Sequence, residues 1–434
     1  MTHALSPAYC AILVACAVES PHDREFVSQQ IADRGGVTTR PETTTEQMPP
    51  GTLLADGLTE PEAVAIALWN NPGFQAALTD LDVSRAELAE AGAFKNPALS
   101  VLFPLGPKQL ELTVEFPLDA LLHRPHRVAI ARIEVERVAA QLVRSGLDLI
   151  RDTQLAFGAV VYAKQQVALA ERTTALAARR AELARSRARA GEIGEHEAQA
   201  ANAVAARAAA DTTKARGEEA RVVLQLLGQL GLPPETAAPV LVAEIEPATP
   251  PPVAELEKIA LAARPDLRAA ELVVEAAGER VGLTKAEVWQ IGLLADIDGV
   301  TGDTDQVGPG LVMEVPVFNQ RGGAIAKADA EVKRSVARLA ALRANVVQNL
   351  RQCWQREDAL RKELEELQRS AVPASEREMA GATHVVAAGE EGEDVMLAAR
   401  EHELQLQHQV ADATTALHDA RVQLVHAVGR RLTP

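Results

Sequence analysis

The chain has 434 residues, a formal net charge of −16 and only 3% aromatic residues. An acidic chain repels phosphates, which makes nucleic acid an unsuitable partner. So few aromatic residues argue against thick globular cores. The frequent Ala, Leu, Glu, Arg, Gln and Val instead suit long helices packed through narrow seams. No run of 18 apolar residues occurs, so we predict no transmembrane helix.

The N-terminus is a short apolar segment that ends at a cysteine. Residues 7–16 read PAYCAILVAC, and the last four resemble the lipobox of bacterial lipoproteins, whose cysteine thiol carries the lipid. We therefore predict residues 1–16 as a lipoprotein signal segment and Cys16 as the lipid attachment site. The alternative is a chance apolar N-terminus with a structural cysteine, since residues 1–6 contain no Lys or Arg. Residues 17–57 are polar, with Pro and Thr clusters, and are predicted to form an extended linker.

The next elements of the chain occur twice, in the same order. Each copy starts with an amphipathic helix that a proline interrupts, Pro72 in the first copy and Pro265 in the second. Two extended segments follow. The later one ends in a similar four-residue sequence, EFPL in the first copy and EVPV in the second. The strands are predicted at 97–105 and 109–117 in the first copy and at 290–299 and 308–318 in the second.

A long helical hairpin follows each strand pair. The long helices, predicted at about 126–190 and 322–387, end in the words AGEIGEHEAQAA and AGEEGEDVMLAA, and another helix then closes each copy. Such order and spacing indicate an internal repeat. Pro373 predicts a kink in the second long helix that the first has no proline to match.

The repeat divides the chain into segments. Repeat 1 is predicted at 58–232 and repeat 2 at 253–434, with a Pro-rich linker at 233–252 between them.

Each hairpin must bury its helices against one another. About 65 helical residues form a rod of about 95 Å, which no single globular domain encloses. Apolar residues recur at coiled-coil spacing along the first long helix, at Leu142, Leu147, Leu149, Leu155 and Val160. Taken alone, the hairpins also suit a structural coiled-coil rod with no role in transport.

The predicted strands alternate between apolar and acidic residues. In the second strand, Leu112, Val114 and Phe116 fall on one face, whereas Glu111 and Glu115 fall on the other. Four short strands cannot close a barrel, and lipid excludes open sheet edges, so a membrane-spanning sheet would need several chains. The alternative is a soluble sheet covered by helices, which the short first strand pair and the sparse aromatic residues favour.

The order of these words resembles the TolC-like outer-membrane factors of tripartite efflux pumps, including the heavy-metal CzcC-type and lipoprotein branches. The words are LTEPEAVAIALWNNPGFQAA, KNPALSV, EVPVFNQRGGAIAKADAE and the two AGE-x-GE turns, and the resemblance covers nearly all of residues 58–431. It implies a mainly α fold with a small β part, built from two repeats of long coiled-coil hairpins plus β-hairpins. Three chains would form an α-barrel and a 12-stranded β-barrel.

The resemblance also implies partners and sites. The chain would be a lipid-anchored homotrimer in the bacterial outer membrane with a large periplasmic part, and it would meet a periplasmic adaptor and an inner-membrane pump. The hairpin tips would dock these partners through glycines that permit tight reversals, namely Gly191, Gly194, Gly389 and Gly392. Acidic rings are predicted in the lumen or at the tunnel entrance, formed by Glu111, Glu115, Glu393 and Asp394.

We find no sequence motif of an enzyme. G-x-S-x-G, P-loop, H-E-x-x-H and C-x-x-C are all absent, so neither catalysis nor a cofactor is predicted. His123 and His126 flank Pro125 after a predicted strand, where a surface polar turn suits them better than a weak metal site. No metal is therefore predicted.

The sequence thus predicts a passive channel subunit that conducts substrate exported by an inner-membrane pump. The main alternative is a periplasmic coiled-coil lipoprotein that acts as a scaffold. A pump adaptor is a third option, although the lipoyl-type and barrel domains that adaptors insert between their hairpin halves are not evident.

Overall fold

The structure is a computed structural model that describes residues 18–41, 48–49, 57–103, 110–242, 249–298, 306–389 and 392–432. The described residues fall into two compact units. The first unit draws on residues 18–27, 76–144 and 265–345, and the second on 28–75, 145–264 and 346–432. Each unit therefore combines segments of both sequence repeats.

Helices dominate both repeats. Helices α1 to α5 are Arg24–Gly35, Glu60–Asn70, Pro72–Gly92, Leu118–Ala190 and Glu195–Gln229. Helices α6 to α10 are Val253–Ala263, Pro265–Ala286, Gly322–Glu366, Val372–Ala387 and Glu393–Val428. The described helices include none with the length and apolarity needed to cross a bilayer.

The first unit contains a four-stranded antiparallel sheet in the order β2-β3-β5-β6. Its strands are β2 (Ala98–Leu102), β3 (Glu111–Pro117), β5 (Gln290–Asp298) and β6 (Gln306–Glu314). The strands of repeat 2 have 9 residues each, whereas those of repeat 1 have 5 and 7. Pairing between β3 and β5 joins the two repeats, with Val114 opposite Ala295.

The second unit contains a coiled-coil seam between α4 and α10. Leu169 and Leu176 of α4 are buried against Leu397, Leu404 and Ala411 of α10. Seven residues separate successive members on each helix, which is the heptad spacing that keeps one stripe facing a partner. The apolar residues that predicted this seam are also withdrawn from solvent: Leu142, Leu147, Leu149 and Val160 are buried, and Leu155 is half-buried.

The prolines predicted to interrupt the first helix of each repeat do so. Helix α2 ends at Asn70 and α3 begins at Pro72, and α6 and α7 are divided in the same way before Pro265. A proline suits the first turn of a helix, where no intrahelical partner for its missing N–H is needed. The Asn71 side chain donates to the carbonyl oxygen of Gln229 at 3.0 Å, which ties this break to the end of α5.

Two segments predicted as linkers contain secondary structure. Within residues 17–57, helix α1 buries Val27 and Ile31 completely. This single i, i+4 apolar pair is too short a pattern to predict a helix from sequence. Within 233–252, β4 (Leu241–Val242) pairs in parallel with β1 (Leu58–Thr59), so the connection between the repeats is fixed at that point.

The segment around Pro125 is helical, so the predicted polar turn there is wrong. Helix α4 begins at Leu118 and continues through Pro125. Neighbouring contacts hold the segment: Arg124 Nε donates to the Gly92 carbonyl oxygen at 2.8 Å, and His126 Nδ1 lies 3.0 Å from Glu279. His123 is also buried. Together, this burial and the two tertiary contacts compensate for the one helical hydrogen bond that a proline removes.

The second long helix is irregular where the kink was predicted. A π-helical segment, Leu367–Ala371, separates α8 from α9, and Pro373 lies just after it. A π segment accommodates the proline because it shifts the hydrogen-bond pattern of the preceding turn.

Candidate functional site

The sheet of the first unit separates apolar from acidic side chains, as the alternation predicts. Directly opposed residues of neighbouring strands share a face. The apolar face consists of Leu99, Val101, Leu112, Val114, Phe116, Ile291, Leu293, Ala295, Ile297, Val307, Pro309, Leu311 and Met313. All four strands contribute to it, so it forms one continuous surface.

This apolar face is open to solvent in the single chain. Leu99, Val307 and Leu311 are 65%, 67% and 63% exposed. The packed helices of the first unit therefore do not cover it. A continuous exposed apolar surface indicates a site that contacts a membrane or another protein.

The opposite face of the sheet carries the predicted lumen acids. Glu111 and Glu115 share it with Asp296 and Glu314, according to the strand register. The hydroxyl of Thr113 donates to Asp296 at 2.9 Å, which links β3 and β5 on this side. The register thus adds two acids that alternation within a single strand could not place beside Glu111 and Glu115. We refer to Glu111, Glu115, Asp296 and Glu314 as the acidic face.

The four predicted tip glycines have two different conformations. Gly191 and Gly389 have φ of +75° and +72°, the left-handed region that glycine adopts at little cost. Gly194 and Gly392 are extended N-cap residues of α5 and α10. In each tip, the first glycine reverses the chain and the second starts the returning helix. Nothing lies within 4 Å of a side chain built at Gly191 or Gly389, so both reversals are open to a partner.

The acids of the second tip are joined to the first hairpin. Glu393 accepts two hydrogen bonds from Arg179, at 2.7 Å from Nε and 2.9 Å from Nη2, and Asp394 accepts one from Arg187 at 2.7 Å. The bonds from Arg179 lower the pKa of Glu393, so this carboxylate is held in its charged form. Sequence reasoning singled out both acids, but it could not find their arginine partners more than 200 residues away along the chain.

Further charged pairs join the repeats away from the tips. His418 Nε2 of α10 lies 2.9 Å from Glu60 at the start of α2, and its Nδ1 lies 3.3 Å from Asp419. Burial alone would lower the pKa of His418, but its bonds to Asp419 and Glu60 outweigh burial and raise that pKa to about 9.

The remaining predicted site residue, Cys16, lies outside the described residues, as does the rest of the signal segment. In the part of the chain that the structure describes, no group of three or more His, Cys, Asp or Glu side chains is arranged to hold a metal ion. His126 pairs with a single carboxylate, Glu279.

Comparison with known families gives a match in the second repeat. Residues 256–430 match the sequence model of the family described as outer membrane efflux protein. No curated protein matches the chain significantly in sequence.

Several solved outer-membrane channels share the fold. The outer-membrane channel OprN is 18% identical, with a TM-score of 0.73 over 91% of this chain and 96% of OprN. The CmeC outer membrane channel of Campylobacter jejuni is 13% identical, with a TM-score of 0.72 over 90% of each chain. The outer membrane protein VceC of Vibrio cholerae is 18% identical, with a TM-score of 0.69 over 86% of this chain and 96% of VceC.

These findings confirm two predictions made from the repeat. The match over 256–430 confirms the resemblance to outer-membrane efflux proteins in the second repeat. The likeness to solved channels confirms the fold class, mainly helical with a small sheet part.

Proposed function

We propose that this outer-membrane efflux channel subunit works as one of three identical copies, which together close a barrel and a tunnel in a tripartite efflux system. The observation that carries the proposal is the sheet of the first unit. One face is continuous, apolar and exposed, and the other carries acids that include Glu111, Glu115, Asp296 and Glu314. A sheet of this kind suits a barrel with lipid outside and water inside.

The edges of this sheet explain why the barrel would need several copies. β2 and β6 are the edge strands, so among the described residues each leaves one row of backbone groups without a partner strand. Exposed edges are not tolerated in lipid, because each unsatisfied backbone group costs several kcal/mol. Pairing β6 of one copy with β2 of the next satisfies both edges, and three copies bring twelve strands to one barrel.

The barrel would conduct passively. The acidic face would line the lumen and favour cations over anions by its field. Such a channel makes and breaks no bond, so it needs neither catalytic residues nor a cofactor. The energy for export would come from a pump in the inner membrane.

The hairpin tips suit the partners of such a pump. Gly191 and Gly389 turn the chain in open space, where an adaptor or pump could approach the backbone closely. Lipid attached to Cys16 would add an anchor in the outer membrane.

Cysteine cross-linking tests the proposed closure of the barrel. Ser100 of β2 and Gly308, Gly310 and Val312 of β6 lie on the same side of the sheet but on opposite edges. We expect Ser100→Cys, combined with cysteine at one of these three β6 positions, to give covalent trimers on oxidation in isolated outer membranes.

The control is Ser100→Cys with Leu311→Cys, because Leu311 lies on the other face and should not cross-link. Each single cysteine variant controls for the native cysteines. If all three double variants remain monomeric on non-reducing gels, the proposed barrel is wrong.

A further inference from the structure

A cavity of about 360 Å³ in the second unit is lined by more positive than negative side chains. It lies where the end of α1 and the end of α10 approach the start of α2 and the middle of α4. Its lining includes Glu60 and two histidines, together with five arginines: Arg34, Arg151, Arg421, Arg430 and Arg431. This cavity belongs neither to the sheet nor to the hairpin tips.

Two of the five arginines are neutralised by nearby carboxylates. Arg151 lies 2.7 Å from Asp152 and 3.2 Å from Asp148, and Arg421 lies 3.3 Å from the fully buried Glu357. The one acid of the lining, Glu60, is also engaged, since it pairs with His418 at 2.9 Å. These groups therefore balance one another within the protein.

The other three arginines form a cationic rim. The Arg34 side chain donates to the Ala263 carbonyl oxygen and to Gln30, which are uncharged acceptors. Its backbone carbonyl accepts a hydrogen bond from the Arg431 N–H at 2.6 Å, which holds Arg34 and Arg431 side by side. Across the described ranges, the ion pairs of these five arginines involve Arg151 and Arg421, and no carboxylate forms one with the side chain of Arg34, Arg430 or Arg431.

The ends of α1 and α10 compensate for this charge only in part. A helix C-terminus carries about half a negative charge, so two of them leave most of three guanidinium charges unbalanced. The Ala427 carbonyl near the end of α10 is already occupied by Arg264 Nη1 at 2.5 Å. Burial lowers the pKa of Arg34, the carboxylate of Asp33 raises it, and the charge of Arg430 lowers it. The last effect is the repulsion between the like charges of Arg34 and Arg430.

Another part of the lining, which we call the wall, is apolar. It includes Val64 of α2, Leu147 and Ile150 of α4, and Leu417 and Val425 of α10. A water molecule in the liquid occupies about 30 Å³, so a cavity of about 360 Å³ suits a ligand of about a dozen non-hydrogen atoms.

We propose that this cavity binds a small amphiphilic organic anion, with its phosphate, sulfonate or carboxylate head among Arg34, Arg430 and Arg431. Its apolar body would lie against the wall formed by α2, α4 and α10. Guanidinium groups suit such heads because their planar N–H forks donate to two oxygens at once. A bound anion would also join the end of α1 to the end of α10.

Calorimetric titration of the purified full-length protein with phenyl phosphate tests this site. We expect saturable binding of one phenyl phosphate per chain, weakened by salt because the rim is partly exposed. Arg430→Gln with Arg431→Gln should weaken binding at least about tenfold, since it removes two guanidinium groups that donate charge-assisted hydrogen bonds to the anionic head. Ligand that binds only the native state should also raise the melting temperature of the wild type.

The matched control is Arg207→Gln with Lys214→Gln, which removes two exposed positive charges from α5 of the same unit. This variant should bind phenyl phosphate as the wild type does. Absence of saturable binding, or equal binding by the two double variants, would overturn the site. Equally tight binding of inorganic phosphate would overturn the role of the apolar wall, and equally tight binding of phenol would overturn the role of the arginines.

Discussion

The two repeats have the same elements but differ in charge and regularity. In repeat 1 the long helix α4 runs unbroken for 73 residues, whereas in repeat 2 a π segment divides the corresponding stretch. The last turns of α4 carry Arg185, Arg187 and Arg189, while Val385 and Ala387 occupy the places that match the last two in repeat 2. Repeat 2 has more negative charge at the start of its closing helix, with Glu393-Asp394 where repeat 1 has Glu195-His196.

This difference makes the two repeats complementary. Arg179 and Arg187 of repeat 1 meet Glu393 and Asp394 of repeat 2, and Glu60 of repeat 1 meets His418 of repeat 2. Two identical copies would lack part of these pairs, since repeat 1 has His196 in the place of Asp394 and repeat 2 has Val385 in the place of Arg187. The differences between the repeats therefore supply the charged pairs that join them.

The sheet allows the most severe test of the two halves, because both repeats share its apolar face. Leu293→Arg in repeat 2 should abolish assembly in the outer membrane, since an arginine facing lipid costs about 2–4 kcal/mol at the bilayer midplane and each trimer would carry three. Leu294→Arg, one residue along on the acidic face, should be tolerated. Trimer content of outer-membrane fractions on mildly denaturing gels distinguishes the two variants, and equal loss in both would contradict the assignment of the faces.

The pair between Glu60 and His418 should make stability depend on pH. The pKa of His418 is about 9 in the folded chain, whereas a histidine side chain without these partners has a pKa of 6.5. The contribution of protonated His418 to the free energy of unfolding is thus fully present below pH 6.5 and is lost as pH rises to about 9. A pKa shift of this size limits the loss of stability to about 3 kcal/mol.

Thermal unfolding at pH 6 and pH 9 measures this effect. The wild type should lose more stability between these values than His418→Gln, whereas His196→Gln, at an exposed histidine, should behave as the wild type does. An equal pH response in the wild type and His418→Gln would show that the pair contributes nothing.

The tip glycines test what the two repeats still have in common. Gly389→Ala should destabilise the second tip by about 1–2 kcal/mol, because an L-residue is strained at a φ of +72°. Gly392→Ala should have little effect, since Gly392 is extended with a φ of −78°. Gly191 and Gly194 should repeat this contrast in the first tip. Hydrogen exchange of the tip amides would show the difference, and equal protection in Gly389→Ala and Gly392→Ala would refute it.

The ion pairs at the tips should affect local distances more than global stability. Arg179 and Glu393 lie at the surface, where solvent screens their attraction. Arg179→Glu should widen the distance distribution between spin labels on the two hairpins, and adding Glu393→Arg should narrow it again. If the double variant is as broad as the single one, the pair does not join the hairpins.

The smallest expected effect concerns ion selectivity. Glu111→Gln with Glu115→Gln removes two acids of repeat 1 but leaves Asp296 and Glu314 of repeat 2. Cation over anion permeability should therefore fall only in part. The reversal potential in a salt gradient measures this, and an unchanged value would exclude the two glutamates from the lumen.

Sequence periodicity predicted the strands and long helices because each depends on a pattern repeated over many residues. The alternation around Val114 and the coiled-coil spacing from Leu142 to Val160 are patterns of this kind. Helix α1 could not be predicted, since its one apolar pair, Val27 and Ile31, is too short a pattern to indicate a helix. The pair is buried only in the folded chain. The helix through Pro125 was missed because its support comes from distant residues such as Glu279.

The candidate site was predictable to a similar extent. Alternation located Glu111 and Glu115, and the repeated AGE words located the tips. The strand register that adds Asp296, and the arginines that neutralise Glu393 and Asp394, required the folded chain. Long-range pairing of this kind leaves no local pattern in a single sequence.

Electrical recording from the purified protein in planar lipid bilayers tests the central claim most directly. We expect discrete steps of ionic conductance of uniform size, produced by a trimer. Leu294→Arg should retain these steps and Leu293→Arg should lose them. A protein that inserts into the bilayer as a folded trimer but carries no current would contradict a channel function.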